Sequence, residues 1–512
     1  MRRACFPCRR NKLSAGCRNG ICVDCTSNES GLLPCHHKTE RVFNVGRRQT
    51  MSTDHSDTRI ETDSLGEIAV PSRARWGAQT QRAVDNFPIS GRTLPPRFIQ
   101  AVVHIKRCAA EANRELGELP SNKAVAIVGA CNDLLAGHHG DQFPVDIFQT
   151  GSGTSTNMNV NEVIAHLCEE AGASIHPNDD VNLGQSSNDT IPTAIHVSAA
   201  LAVTEHLIPA LEQLIVELGL RAREHRETVK TGRTHLMDAM PVTVEQELQT
   251  WAMQLQDACG RVAGARDALL AVPQGGTAVG SGINAHPAFG ETFASKLADE
   301  TGLAFRALPH PFVAQSALDG PLALSAALRG IAVVLMKISN DLRWMNSGPT
   351  HGLGEIQLPA TQPGSSIMPG KVNPVICESA TMVATQVMGL DQANAIAAQS
   401  GNFQLNVMLP LVASNLLDMT EWLGNSCTNL AERAIKGMTF NEARLAEGVG
   451  KNPILVTALN PVIGYEKAAK IAKEAFASGR PVLEVAEEQS GLSRQKLEQL
   501  LDPKDLTHPL KG

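Results

Sequence analysis

From Ile191 onward the chain carries long runs in which apolar residues recur at helical spacing, over residues 193–229, 242–272, 321–345, 376–398 and 404–435. Each run is long enough for a helix of roughly 35 Å or more, at about 1.5 Å per residue. In the third run Leu322, Leu324, Leu328, Ile331, Val334, Leu335, Ile338 and Leu342 cover more than one face. A helix that is apolar nearly all round has to be enclosed on several sides. Five such helices predict an all-α bundle. Their surplus apolar surface predicts that bundles from several copies of the chain pack together.

Before this point, from about Ser64 to Thr190, the pattern is mixed: short helical stretches alternate with polar loops such as P-S-R-A-R-W-G-A-Q-T-Q-R and Q-T-G-S-G-T-S-T-N-M-N. After Phe440 the segments shorten again, with N-P-I-L-V-T-A-L-N-P-V-I-G-Y followed by a charged helix and a polar tail. The expected division is an extension over residues 1–50, an N-terminal domain over 51–183, a central long-helix bundle over 184–442 and a small C-terminal domain over 443–512.

Composition supports helices over strands. Aromatic residues make up only 4% of the 512, with a single tyrosine, and Ala, Leu and Val dominate long stretches. The net charge of −7 and pI near 6.2 show no overall basic bias that would draw the chain to nucleic acid or an anionic membrane. An anionic substrate must then be held by local groups. The best candidate for a membrane span, residues 321–336, is interrupted by Arg329 and Gly330, which argues against one.

The first 50 residues differ from the rest. They carry ten Lys or Arg against three Asp or Glu, a balance of +7 that leaves −14 for the remainder. They also hold six of the twelve cysteines, Cys5, Cys8, Cys17, Cys22, Cys25 and Cys35, with His36 and His37 close behind. The two C-x-x-C pairs have the spacing of zinc or iron–sulfur ligands. The competing reading is an extension without a functional domain: no zinc module fits the spacings, apolar periodicity is nearly absent, and Met51 opens a clean new start. The other six cysteines, from Cys108 to Cys427, are scattered singly, which suggests a reducing compartment and no disulfide framework. The cytoplasm is the default location.

Four polar clusters suit recognition of a small dicarboxylate. In Gly151-Ser152-Gly153-Thr154-Ser155-Thr156-Asn157 the glycines allow close backbone approach and the hydroxyls can donate to a carboxylate, although such runs are more often plain turns. The second cluster runs His176-Pro177-Asn178-Asp179-Asp180 and continues to Gln185-Ser186-Ser187-Asn188-Asp189, where Ser and Asn could cap the first long helix or face an anion near its positive end. The third, Gly232-Arg233-Thr234-His235-Leu236, sits in a polar break between long helices and offers His235 as an acid or base. The fourth is Pro363-Gly364-Ser365-Ser366-Ile367-Met368-Pro369-Gly370-Lys371-Val372-Asn373-Pro374, leading into a helix that carries Glu378. Its donors and its Gly/Pro content fit a lid that closes on substrate; the alternative is a linker.

The G-S-S-I-M-P-G-K-V-N-P stretch resembles the signature of the fumarase/aspartase superfamily. W-G-A-Q-T-Q-R-A, Q-T-G-S-G-T-S-T-N-M-N-V-N-E, H-P-N-D-D-V-N, Q-S-S-N-D, G-R-T-H-L and G-G-T-A-V-G-S-G resemble class II fumarase in the same order, so the likeness runs from about Arg59 to the C-terminus. It implies an all-α fold of three domains whose central helices assemble into a homotetramer, with active sites built from three subunits. It also implies reversible hydration of fumarate to L-malate without metal or other cofactor. On this resemblance Ser365 is the base that removes a proton beside a carboxylate, and His235, held by Glu378, handles the water or hydroxyl. Ser152, Gly153, Thr154, Ser186, Ser187, Asn188, Thr234, Ser366, Lys371, Val372 and Asn373 bind the substrate. His176, Pro177, Asn178 and Asp179 resemble a secondary dicarboxylate site.

Aspartase-like sequences share the loop but carry glutamine where this chain has His235, and read M-P-A-K where it has Met368-Pro369-Gly370-Lys371. Two departures from class II fumarases are Met237, where many have glutamine, and a shorter stretch between Asn161 and His176. A rival of another class is a regulatory protein with a basic Cys-rich head on an inactive helical scaffold, expected to bind zinc and nucleic acid through residues 1–50.

Overall fold

The computed structural model describes residues 57–509; the Cys-rich segment, and with it both readings of residues 1–50, lies outside them. The chain opens on a ribbon of two antiparallel strands, β1 (Thr58–Asp63) and β2 (Gly66–Pro71). Four helices follow: α1 (Ala78–Asn86), α2 (Pro96–Glu115), α3 (Ser121–Leu135) and α4 (Thr154–Glu170). The region is more helical than the mixed pattern suggested. The T-S-T-N-M-N part of the second polar loop is in fact the first two turns of α4, because its asparagines face a buried polar interior that a single sequence does not reveal.

The bundle begins with α5 (Ser187–Ala202), which passes through a π turn at Val203–Leu207 into α6 (Ile208–Glu224). Together they form one unbroken rod over Ser187–Glu224, about 57 Å at 1.5 Å per residue. The π turn brings His206 against α12 (described next) at Gly424, where an added Cβ would lie 2.5 Å from the imidazole. The remaining bundle helices are α7 (Val244–Ala268), α8 (Phe289–Thr301), the single turn α9 (Phe312–Ser316), α10 (Asp319–Met345), α11 (Val375–Ala398) and α12 (Leu409–Leu430). α10 packs against α7, α11 and α12, and α6 against α7 and α12.

The five predicted runs thus become helices with trimmed ends. Val229 leaves the first to enter β3 (Val229–Thr234), which pairs with β4 (Met237–Thr243); α7 starts only after Thr243 caps it, Oγ1 accepting from the Gln246 N–H at 3.1 Å. Apolar character alone could not separate these residues from the helices they adjoin. Three further two-stranded pairings are the β1–β2 ribbon and two pairs of two-residue strands.

Trp251, Leu324, Leu328, Ile331, Leu335 and Leu342 are fully buried. A polar seam keeps α10, α11 and α12 in register. Ser325 Oγ donates to Asp391 Oδ1 at 2.7 Å, Asn394 Nδ2 to Ser325 Oγ at 3.0 Å, and Asn415 Nδ2 to Asn394 Oδ1 at 2.9 Å. Two helices, Ser187–Glu224 and Asp319–Met345, are long and apolar enough to cross a membrane by length and composition. Here they form the core of the bundle, the first with 67% and the second with 44% of its most apolar window buried. Met253, Val333, Met382 and Ile396 leave apolar surface on α7, α10 and α11 exposed in the single chain. A second, smaller apolar cluster, including Leu455, Leu459, Ile471, Val485 and Leu497, organises the C-terminal segment.

Replacing Leu335 by Ala should lower stability by about 3 kcal/mol through the cavity left in α10. The midpoint of urea unfolding reads this directly; an unchanged midpoint would mean that the position is not enclosed.

Candidate active site

The polar clusters settle at three places. The first is where α4 and α5 begin. Gly153 caps α4 with φ +71°, and a Cβ there would meet Ile191 of α5 at 2.8 Å, so only glycine lets the two helix starts approach. A Cβ at Gly151 would sit 1.9 Å from the Val407 carbonyl oxygen. Ser152 Oγ and Thr154 Oγ1 share a hydrogen bond of 2.8 Å at this turn. At α5, Ser186 Oγ accepts from the Asn188 N–H at 3.2 Å, and Asp189 Oδ1 accepts from the Ser186 N–H at 2.9 Å. Asn157 Nδ2 donates to Ser187 Oγ at 3.2 Å, tying the two turns together. Two helix N-termini with hydroxyl and amide groups side by side make a site for anions.

Asp189 also reaches the G-G-T-A-V-G-S-G segment: its Oδ2 accepts from the N–H groups of Gly275 at 3.0 Å and Thr277 at 2.8 Å. Asn188 Nδ2 donates to the Ala278 carbonyl at 2.8 Å. Burial pushes the Asp189 carboxyl up to about 6, against the opposing pull of these backbone N–H groups.

The second place is the β3–β4 hairpin. Thr234 pairs with Met237, leaving His235 and Leu236 as a two-residue turn with φ +56° and +61°. Such turns suit Asn-Gly; a β-carbon costs about 1 kcal/mol per left-handed residue. Strain of this kind is tolerated where the surroundings enforce it. The hairpin base supplies the enforcement. Buried Lys230 meets Glu247 at 2.6 Å and Glu355 at 2.8 Å, and Arg233 meets Glu355 at 2.5 Å. Gly232 permits the bulge between Thr231 and Arg233, since a Cβ there would lie 2.5 Å from the Met240 carbonyl. His235 thus stands exposed at a hairpin tip, where the sequence suggested a plain break between helices.

The third place is the loop before α11. Ser365 Oγ accepts from the N–H groups of Ile367 at 3.3 Å and Met368 at 3.1 Å. Lys371 Nζ donates to Asn373 Oδ1 at 2.6 Å, and Asn373 Nδ2 to the Gly364 carbonyl at 2.7 Å, so the loop is closed on itself. Ser366 and Val372 are exposed on it. Glu378 lies in the first turn of α11, favourably placed for the helix dipole. Among the described residues no hydrogen bond or ion pair joins the three places within one chain, and His235 does not meet Glu378.

Residues 66–389 match a family model described as Lyase, and residues 455–508 one described as Fumarase C C-terminus. The chain is 55% identical over 453 residues to Fumarate hydratase class II 2 of Pseudomonas aeruginosa, covering 88% of this chain and 99% of that protein. The chain belongs to the class II fumarate hydratase family. It is also 55% identical over 459 residues to Fumarate hydratase class II of Xylella fastidiosa, across 89% of this chain and 97% of that one. In three dimensions it resembles a class II fumarase from Schistosoma mansoni with a TM-score of 0.86 and 39% identity, covering 89% of this chain and 100% of the other.

Residues expected to form a secondary site line a separate cavity. His176, Pro177 and Asn178 line a cavity of about 490 Å³ together with Arg59, Arg75, Trp76 and His166. Asp179 is exposed beside it, its N–H donating to His176 Nδ1 at 3.1 Å. That nitrogen is therefore an acceptor, and the 3.1 Å approach of Asp179 Oδ2 to it is not a true ion pair. A larger cleft of about 960 Å³ is lined by Gln274, Ser281, His286 and Arg306, among others, and by none of the candidate residues. Sequence reasoning missed Glu355 and Lys230, and it gave no role to Asp189 or to the glycine-rich segment. Those last two left a signal, as the motifs Q-S-S-N-D and G-G-T-A-V-G-S-G.

Replacing Leu236 by glycine should relieve the left-handed strain and raise stability by about 1 kcal/mol. A thermal unfolding midpoint that falls would show that the Leu236 side chain contributes more than its backbone strain costs.

Proposed function

We propose that this family member adds water reversibly across the double bond of fumarate to give L-malate, with Ser365 as base and His235, paired with Glu378, handling the water or hydroxyl. The observation that carries the assignment of the base is the turn at residues 365–368. A serine hydroxyl of ordinary acidity is a poor base, but its alkoxide is stabilised when backbone N–H groups point at it, as those of Ile367 and Met368 do. In the malate direction Ser365 takes the proton from C3, and the electron pair moves into the adjoining carboxylate, which gains a second negative charge. Preorganised donors must meet that charge. We assign Lys371, Asn373, Ser187, Asn188 and Thr234 to it, and Ser152 and Thr154, with Gly153, Ser186, Ser366 and Val372 around them, to the rest of the substrate. Loss of hydroxide from C2, protonated through His235, completes the elimination, and hydration runs the same steps backwards. Acid, base and donors are all side chains or N–H groups, so no metal or other cofactor enters the scheme.

The family resemblance implies a homotetramer with sites shared by three subunits, and we infer that a complete site is assembled in that way; the separation of the three clusters within one chain supports it. The exposed apolar surface on α7, α10 and α11, marked by Met253, Val333, Met382 and Ile396, supports this assembly. We retain the division into N-terminal, bundle and C-terminal domains, which the separate apolar cluster around Leu455 and Ile471 supports at the C-terminal end. The cavity beside His176 is read as a secondary dicarboxylate site. The compartment we assign is the cytoplasm; Cys108, Cys131, Cys168, Cys259, Cys377 and Cys427 are all free, in keeping with reducing surroundings.

Ultraviolet absorbance of fumarate, followed with the protein in EDTA, should show conversion from both fumarate and L-malate and none from L-aspartate. Ser365→Ala should lower kcat by roughly a thousandfold. Fumarate formed from aspartate and not from malate would replace the hydratase with an ammonia-lyase.

A further inference from the structure

Lys106, on α2, is fully buried. Lysine is almost never enclosed without a partner, and taking an ammonium out of water costs several kcal/mol. Its Nζ donates to Asn182 Oδ1 at 2.8 Å and to Gln185 Oε1 at 3.1 Å, both neutral acceptors. The titratable groups that face it are Asp189 on α5 and the Cys131 thiol on α3. Burial keeps the thiol protonated, which leaves Asp189 as the opposing charge.

The same amides lead to the substrate cluster. Asn182 Oδ1 also accepts from Asn157 Nδ2 at 3.1 Å and from Asn161 Nδ2 at 3.3 Å, and Asn182 Nδ2 donates to the Gln185 carbonyl at 3.2 Å. Asn157 Nδ2 in turn reaches Ser187 Oγ at 3.2 Å. Among the described residues the Oδ1 atoms of Asn157 and Asn161 are buried with no hydrogen-bond partner, an arrangement that folding alone would not favour.

We propose that Lys106 is a positioning residue: its buried positive charge backs the turn at residues 186–188 and, through Asn182, Gln185 and Asn157, fixes Ser187 and favours a dianion there. The inference rests on the reading of residues 152–154 and 186–188 as the place where a substrate carboxylate is held. Burial pushes the Lys106 ammonium down to about 7, with Asp189 pulling the other way. Below that pH the free protein carries the charge and attracts the dianion. As pH rises through about 7 the charge and its attraction are lost, unless a bound dianion draws the proton back.

The test compares kcat/KM for fumarate between the unaltered protein and Lys106→Met from pH 6 to pH 9, since that ratio reports ionisations of the free protein. At pH 6 the variant should be roughly tenfold slower, and the two should converge by pH 9. A deficit equal at every pH would overturn the charge role, because a packing defect does not titrate. Calorimetric binding of succinate to the unaltered protein at pH 8, in two buffers of different ionisation heat, does not depend on Lys106→Met folding. Proton uptake that persists in His235→Asn is expected, and binding without uptake counts against Lys106. Ser187→Ala separates the two levels. If KM for fumarate does not rise in it, the reading of the cluster itself fails; if KM rises while the Lys106→Met deficit is flat in pH, only the Lys106 inference fails.

Discussion

The carboxylate of Asp189 joins the helical frame to the polar loops. One oxygen closes the capping box at the start of α5, and the other takes two N–H groups from residues 275–277. A buried carboxylate is tolerated only when donors surround it, so these segments cannot shift independently without leaving a charge unpaired. Ser186, Ser187 and Asn188 inherit their placement from that constraint. α4 is held against the same spot by the lack of a side chain at Gly153, and Asn157 bridges the two helix starts. Donors fixed in this way need no reorganisation when charge develops on a bound carboxylate, the condition under which electrostatic stabilisation is strongest.

A different device holds His235. A hairpin turn with two left-handed, non-glycine residues is unfavourable by itself, and an ion cluster of buried Lys230 and Glu355 with half-buried Arg233 and Glu247 anchors its base. Glu355 lies in the segment that leads towards the Ser365 loop, so the hairpin is braced against its own chain while its tip projects outward. The Ser365 loop is braced by internal hydrogen bonds through Asn373 and Gly364. Each cluster is thus braced within its own segment, which suits the proposed site assembled from several copies. In that proposed assembly the apolar faces left open on α7, α10 and α11 would supply the attraction.

Several elements could be read from residue order because their physics is local. The long helices follow from apolar periodicity, and the Ser186 cap from residue type and position. The asparagines of α4 looked like a loop because polar residues in sequence give no sign of a buried polar interior. Val229 and Val242 were drawn into helices because a valine in a strand and a valine in a helix look alike without a partner strand.

Residue order by itself therefore determined the all-α class, the family, and which groups are available for chemistry, since helical period and motif composition are properties of the chain taken one stretch at a time. Only the tertiary structure decided that His235 sits on a strained hairpin tip, that the Ile367 and Met368 N–H groups face Ser365, and that Asp189 and Lys106 lie buried beside the turn at residues 186–188. These depend on contacts between residues far apart in the chain. Lys106 on α2 and Asn182, just before α5, are 76 positions apart and meet only in the folded chain, where each supplies a polar partner for the other.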